Sequence, residues 1–155
     1  MATIPELLAQ VEANGHKVFS DGPQPEAGIL ALESKLGVRL PPSYRAFLSH
    51  YGAMAIYDST ISGVFGGEPF DEGGGSLYCD TMRFRSDRGL PSYLLVIQAD
   101  EDAPHCLDTR RPSATGEFPV VCYELRSKHA APIASDFDDW LRRFFLKGWA
   151  TDKAG

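Results

Sequence analysis

Apolar positions recur at helical spacing from the start of the chain. Ile4, Leu7, Leu8 and Val11 stand at i, i+3, i+4 and i+7, one face of a 3.6-residue repeat. This predicts a helix over 3–14, ended by Asn14-Gly15. SDGPQP, 20–25, reads as a loop, and Pro25 suits the start of the next helix. That second helix is predicted over 26–36, with Ile29, Leu32 and Leu36 inward and Gly37 as a left-handed cap. Pro41 forces Leu40 out of the helical region, because a residue before proline clashes there. Pro42 can occupy a first helical turn without losing a hydrogen bond. Tyr44, Phe47, Leu48 and Tyr51 then form a third stripe, closed by Gly52.

After Gly52 the period shortens. MAIYDSTISGVFGG, 54–67, holds short β-compatible runs broken by Ser and Gly. EPFDEGGGS, 68–76, is an acidic glycine-rich loop. SLYCDTMRFRSD, 76–87, is compatible with either helix or strand. Strands are predicted over 93–100, 105–109 and 118–125, and their order suggests an antiparallel meander. The last element is a helix with Ser135 as N-cap and Asp138 three residues on. Its apolar face is Phe137, Trp140, Leu141, Phe144 and Phe145, and the strands are the surface for it to cover. The length predicts a single domain over 1–155.

Composition agrees with a packed core: 155 residues, 43% apolar and 23% charged, as in ordinary globular chains. The formal net charge is −6, with a pI near 5.1. Such a surface repels phosphate backbones, so nucleic acid is a disfavoured partner. It suits a basic protein partner, although solubility alone accounts for the same balance. Cys79, Cys106 and Cys122 are odd in number and widely spaced, which is not a disulfide framework. The first residues carry no basic-then-apolar leader, and no apolar run approaches the ~20 residues of a membrane span. A cytoplasmic protein with reduced thiols and no membrane contact is expected.

Candidate chemistry is sparse. His105, Cys106, Cys122 and His129 include metal-ligand types, but no CxxC or HxxxH spacing joins them, and adjacent strand residues point to opposite faces. No G-x-S-x-G elbow occurs. GGEPFDEGGG lacks a phosphate-loop pattern, and Glu68, Asp71 and Glu72 within it would repel phosphate. QADEDAPHCLD gathers Asp100, Glu101, Asp102 and Asp108, without the EF-hand glycine and glutamate. A solvated turn, a partner-facing patch and a metal or catalytic site all remain open for it. Nothing in this chemistry reaches an enzyme assignment, and no metal or cofactor is expected.

Several stretches then fall into one order. ILALESKLGVRLPPSYRAFLSHYGA, 29–53, places Glu33, Leu36, Gly37, Leu40, Pro41, Tyr44, Phe47, Leu48 and Gly52 where the SUKH superfamily has its opening signature. LLVIQADEDAPHCLDT, GEFPVVCYE and IASDFDDWLRRFF are similar to that family's later strands, acidic loop and closing helix. The chain departs from the family at Tyr51-Gly52-Ala53 and in the glycine-poor DEDAPH. The resemblance covers about 26–145 and implies an α+β domain there, a mostly antiparallel sheet flanked by helices, that binds proteins and is not an enzyme. Bacterial members are immunity proteins that block a cognate toxin, often a nuclease, and a fungal branch regulates cell-wall synthesis through protein partners. The candidate partner surface is Asp100, Glu101 and Asp102, with Asp71 and Glu72. Tyr57 and Tyr78 read first as core and second as interface anchors. Trp149 reads as a core cap or as a dimer contact. Reversing Asp100, Glu101 and Asp102 together is expected to weaken binding at unchanged melting temperature.

Overall fold

The computed structural model describes residues 2–65, 67–71 and 74–154. Helix α1 (Ile4–Ala13) opens with a capping box, Thr3 Oγ1 accepting the Glu6 N–H at 3.2 Å and the Glu6 carboxylate accepting the Thr3 N–H at 2.9 Å. Strand β1 (Val18–Ser20) follows, then α2 (Glu26–Leu36), ended by Gly37 at φ +69°, and α3 (Pro42–Tyr51). The elbow between α2 and α3 is closed by one side chain. Glu33 accepts the Leu40 N–H at 2.6 Å and pairs with Arg45 at 3.2 Å. The prolines leave α3 without a local side-chain cap. Its open N–H end, which favours negative charge, is met by distant Glu117, which accepts from Ser43 N–H at 2.9 Å and Oγ–H at 2.7 Å.

Strands β2 (Met54–Ile56) and β3 (Ser59–Ile61) form a hairpin, and β1 pairs with β2 in a three-stranded antiparallel sheet. The ambiguous 76–87 stretch is helix α4 (Leu77–Arg88), capped by Ser76, which accepts the Cys79 N–H at 3.1 Å. The meander is β4 (Leu94–Gln98), β5 (His105–Asp108), β6 (Val120–Glu124) and β7 (His129–Ala134). Neither β1 nor β7 was expected. Three residues make β1, and β7 contains Pro132, which an edge strand tolerates. Alternation splits the sheet between two cores. Leu95, Ile97, Leu107 and Val120 join Tyr44, Phe47, Phe137 and Trp140. Leu94, Val96, Cys106 and Val121 pack with Phe84 of α4.

Backbone groups on the outer edge of β4 are engaged by side chains and by the segment after β3, which blunts a template for aggregation. Thr81 Oγ1 accepts the Val96 N–H at 3.0 Å, Arg85 donates to the Leu94 carbonyl at 3.3 Å, and the Ile97 carbonyl accepts the Ser62 N–H at 2.7 Å. That last bond ties the two sheets together.

The C-terminal helix differs from expectation in two ways. Its cap is Asp136, not Ser135, accepting the Asp139 N–H at 2.8 Å. Ser135 instead donates to Asp139. The Arg143 guanidinium, 2.5 Å from Asp139, holds that carboxyl down to about 2. After α5 (Phe137–Trp140) the chain makes a π-helical stretch, Leu141–Leu146, before α6 (Lys147–Thr151). The wider turn rotates the apolar face. Leu141, Phe145 and Leu146 point inward, and Phe144 is 47% exposed. Among the described residues no helix is long and apolar enough to cross a membrane.

At the base of the β2–β3 hairpin, a Cβ on Gly63 would lie 1.9 Å from the Gly52 carbonyl oxygen. That oxygen also accepts the Val64 N–H at 2.9 Å, so it cannot retreat. Gly63→Ala is therefore expected to destabilise by about 3 kcal/mol or more, from backbone overpacking. Thermal unfolding followed by circular dichroism should show a drop of roughly 6–12 °C; a drop under 2 °C would mean that the two backbones can separate.

Candidate functional site

The β2–β3 turn is Tyr57-Asp58. Tyr57 has φ +56°, a left-handed conformation that a tyrosine holds at about 1–3 kcal/mol. It is 58% exposed, so its assignment to the core is overturned. Its ring lies 5.5 Å from Trp149 and 5.9 Å from His16, and His16 meets Trp149 edge-on at 5.0 Å. Trp149 is partly buried against the core. The segment carrying it is pinned to the end of α1. The Asn14 amide donates to the Ala150 carbonyl at 2.6 Å, His16 Nε2 donates to the Asp152 carbonyl, and the Ala154 N–H donates to the Asn14 carbonyl at 2.8 Å.

The acidic loop after β4 is partly internal structure. Asp100 Oδ1 accepts the N–H groups of Ala103 at 2.8 Å and Asp102 at 2.9 Å, and these bonds hold its carboxyl below the ordinary range. Glu101 pairs with Arg88 at 2.9 Å and Arg83 at 3.2 Å, both on α4. The exposed Asp102 side chain makes no hydrogen bond or ion pair among the described residues. A triple reversal at these positions would break the turn and both ion pairs, so an unchanged melting temperature is not expected. Asp71 is exposed and follows Phe70, whose ring meets Tyr78 at 5.2 Å near the start of α4. Arg83 and Arg88 stand roughly 8–15 Å further along that helix at 1.5 Å per residue, so Asp71 and the Asp100–Asp102 loop flank opposite ends of it. Glu72 lies outside the described residues. Asp108, the fourth acid, is buried. Burial alone would raise its carboxyl, but hydrogen bonds from the Arg110 guanidinium and N–H hold it low.

His105 sits between the hairpin and the C-terminal helix. The buried Trp140 indole N–H donates to His105 Nδ1 at 2.9 Å. That nitrogen is therefore unprotonated, and the neutral ring carries its proton on Nε2. Burial pushes the His105 pKa down, with Asp100 opposing. Around this ring lie two adjoining hollows that share Ser59, Gln98 and His105. One, about 280 Å³, is polar and has Asp58, Thr60 and Asp100 in its wall. The other, about 460 Å³, is aromatic, walled by His16, Trp140, Phe144 and Trp149 with Asp152 beside them. Only Asp100 of this cleft was singled out from the sequence for its charge. The pairing of Trp140 with His105 spans 35 positions and has no local signal.

Other features are structural. A wider groove of about 1370 Å³ runs between α2, α3 and the 109–118 segment, but there Arg45 bridges Glu26 and Glu33, and Arg39 in the same wall balances the remaining charge. Burial pushes up the thiols of Cys106 and Cys122, which keeps both protonated and makes them poor nucleophiles. Among the described residues no group of three or more His, Cys, Asp or Glu is placed to hold a metal ion.

The family model SUKH_5, described as SMI1-KNR4 cell-wall, matches residues 4–146 of the chain.

The lowered His105 pKa sets a pH dependence. The folded state resists protonation that the unfolded chain accepts near pH 6.5, so stability is full above that value and falls as pH drops through it toward the folded pKa. His105→Asn retains an acceptor for the Trp140 indole but cannot titrate. Melting temperatures at pH 7 and pH 5 should fall less for the variant than for the wild type, and parallel falls would show that His105 titrates normally.

Proposed function

The chain belongs to the SUKH family of SMI1-KNR4 domains, and from that premise we propose that it is an immunity protein that neutralises a cognate bacterial toxin domain by direct contact. The observation that carries this reading is the cleft around His105, where aromatic side chains, Phe144 the most exposed of them, adjoin the carboxylates of Asp58, Asp100 and Asp152. Interfaces are anchored by such aromatics. A net charge of −6 favours a basic toxin, such as a nuclease whose active site attracts phosphate. The acidic protein then approaches the basic cleft of that enzyme as a nucleic acid would, and occludes it. Charge complementarity accelerates encounter and selects the partner. The reading places the protein in the cytoplasm, where the toxin acts. It works by binding and not by catalysis, consistent with thiols held in their protonated form.

The cell-wall description of the matching family model favours a second reading, a regulatory module that binds a host protein without inhibiting a toxin.

Co-expression with the product of the adjacent upstream gene separates the two. Immunity predicts a complex that co-purifies and restores growth. Asp102→Lys, at an exposed side chain, should leave the melting temperature unchanged and slow association about threefold or more at low salt. Killing that persists despite abundant folded protein would remove immunity to that toxin and put the regulatory reading first.

A further inference from the structure

We propose that the two-part cleft around His105 receives an arginine side chain from a basic segment of a protein partner. This rests on the reading that the cleft faces a protein, and it names what that protein brings. The first argument is charge. Asp58 and Asp100 stand in the wall of the polar hollow and Asp152 in that of the aromatic one. Among the described residues no lysine or arginine lines either hollow, although the chain carries 15. Asp100 is held as an anion by two N–H bonds to Oδ1, while Oδ2 makes no hydrogen bond among the described residues. The oxygen left over is an acceptor with a fixed charge and a fixed position.

The second argument is the pairing of carboxylates with ring faces. A guanidinium is planar, bonds a carboxylate through two parallel N–H groups and stacks on aromatic rings. The cleft offers both surfaces across the residues its two halves share, Ser59, Gln98 and His105. A lysine ammonium is a strongly hydrated point charge, for which the aromatic half is a poor complement. A phosphate would be repelled by the carboxylates. His105 itself adds no opposing charge, because Trp140 donates to its Nδ1 and the ring is neutral. His16 lines the aromatic half at 6% exposure, with its Nδ1 buried and without a hydrogen-bond partner.

The test uses the full chain, labelled with ¹⁵N, and the tripeptide acetyl-Gly-Arg-Gly-amide as probe at low salt. Its lysine and citrulline counterparts are the controls, citrulline being the neutral isostere of arginine. The arginine peptide should produce saturable shifts of the Trp140 and Trp149 indole signals and of the Ser59 and Asp100 amides. The lysine peptide should bind about fivefold more weakly, and the citrulline peptide should produce no saturable shift. Asp58→Asn should weaken the arginine peptide about threefold at unchanged melting temperature. Shifts scattered over the surface, an equal response to citrulline, or no saturation would overturn the proposal, and equal lysine affinity would overturn the assignment to a guanidinium. The two readings fail separately. Growth rescue by a chain that ignores the arginine peptide removes the cleft and leaves immunity standing, whereas peptide capture without a toxic neighbour does the reverse.

Discussion

The packing of the Gly63 backbone against the Gly52 carbonyl is the contact on which the rest of the structure depends. Around it, residues 62 and 63 bind α3, α4 and β4. Ser62 donates its N–H to Ile97 of β4 at 2.7 Å and its hydroxyl to the buried Asp80 of α4 at 2.6 Å. The Ser62 carbonyl accepts the Tyr44 hydroxyl of α3 at 2.6 Å. Gly63 donates to Gly75 at 2.9 Å and accepts from Leu77 at 2.8 Å, which fixes where α4 begins. Burial, and then the charge of Asp80, push the Tyr44 hydroxyl well above its ordinary pKa, so it stays a donor. A buried carboxylate left without donors is costly, and Asp80 also accepts the Gly75 N–H at 3.2 Å. Each partner is thereby held by the others. A side chain at position 63 would separate them all at once.

The same junction sets the geometry of the cleft. With the base of the β2–β3 hairpin fixed to β4, its two-residue turn is carried to the end of the sheet where Gln98 and His105 pair. The opposite wall comes from the C-terminal helix. Its π-helical stretch sends Leu146 inward and Phe144 outward, and the tail that follows is clipped to Asn14 and His16. The cleft is thus bounded by a hairpin turn, a strand end and a helix distortion. None of these is close to another in sequence.

What was legible in the chain follows from that distinction. The elbow from Leu36 to Gly52 was readable because glycine and proline act on their own backbone, and Gly37 and Pro42 stand where their chemistry requires. Strands β4 to β6 were readable because their apolar residues are contiguous. The identity of α4 was not. Its buried residues Leu77, Thr81 and Phe84 follow helical spacing, but polar neighbours obscure it, and the anchors that decide it, Ser62 and Gly75, lie outside the helix. The extra residue in the turn after Trp140 left no mark in an apolar stripe that reads equally well as α-helix. In the site, Asp100, Glu101 and Asp102 were visible as charges. Their different fates, a turn, two ion pairs and solvent, depend on Arg83, Arg88 and the loop backbone. The cleft itself was invisible, because His16, His105, Trp140 and Trp149 become neighbours only on folding.

Those fates also divide the electrostatics of recognition. A net charge of −6 acts at a distance and draws a basic partner toward the whole molecule, within a Debye length of about 10 Å at 0.1 M salt. At contact, the relevant charges are fewer. Glu101 is already neutralised by two arginines, and half of Asp100 is committed to backbone N–H groups. Carboxylates free of such commitments can meet a partner without first giving up an internal bond. Asp58 in the wall of the polar hollow and Asp102 on the exposed loop after β4 qualify on this basis, and a charge beside a surface that excludes water acts more strongly than one in solvent. Attraction at long range and identity at short range therefore rest on different residues. Salt weakens the first far more than the second, and so a partner that persists at high salt is one held by the cleft.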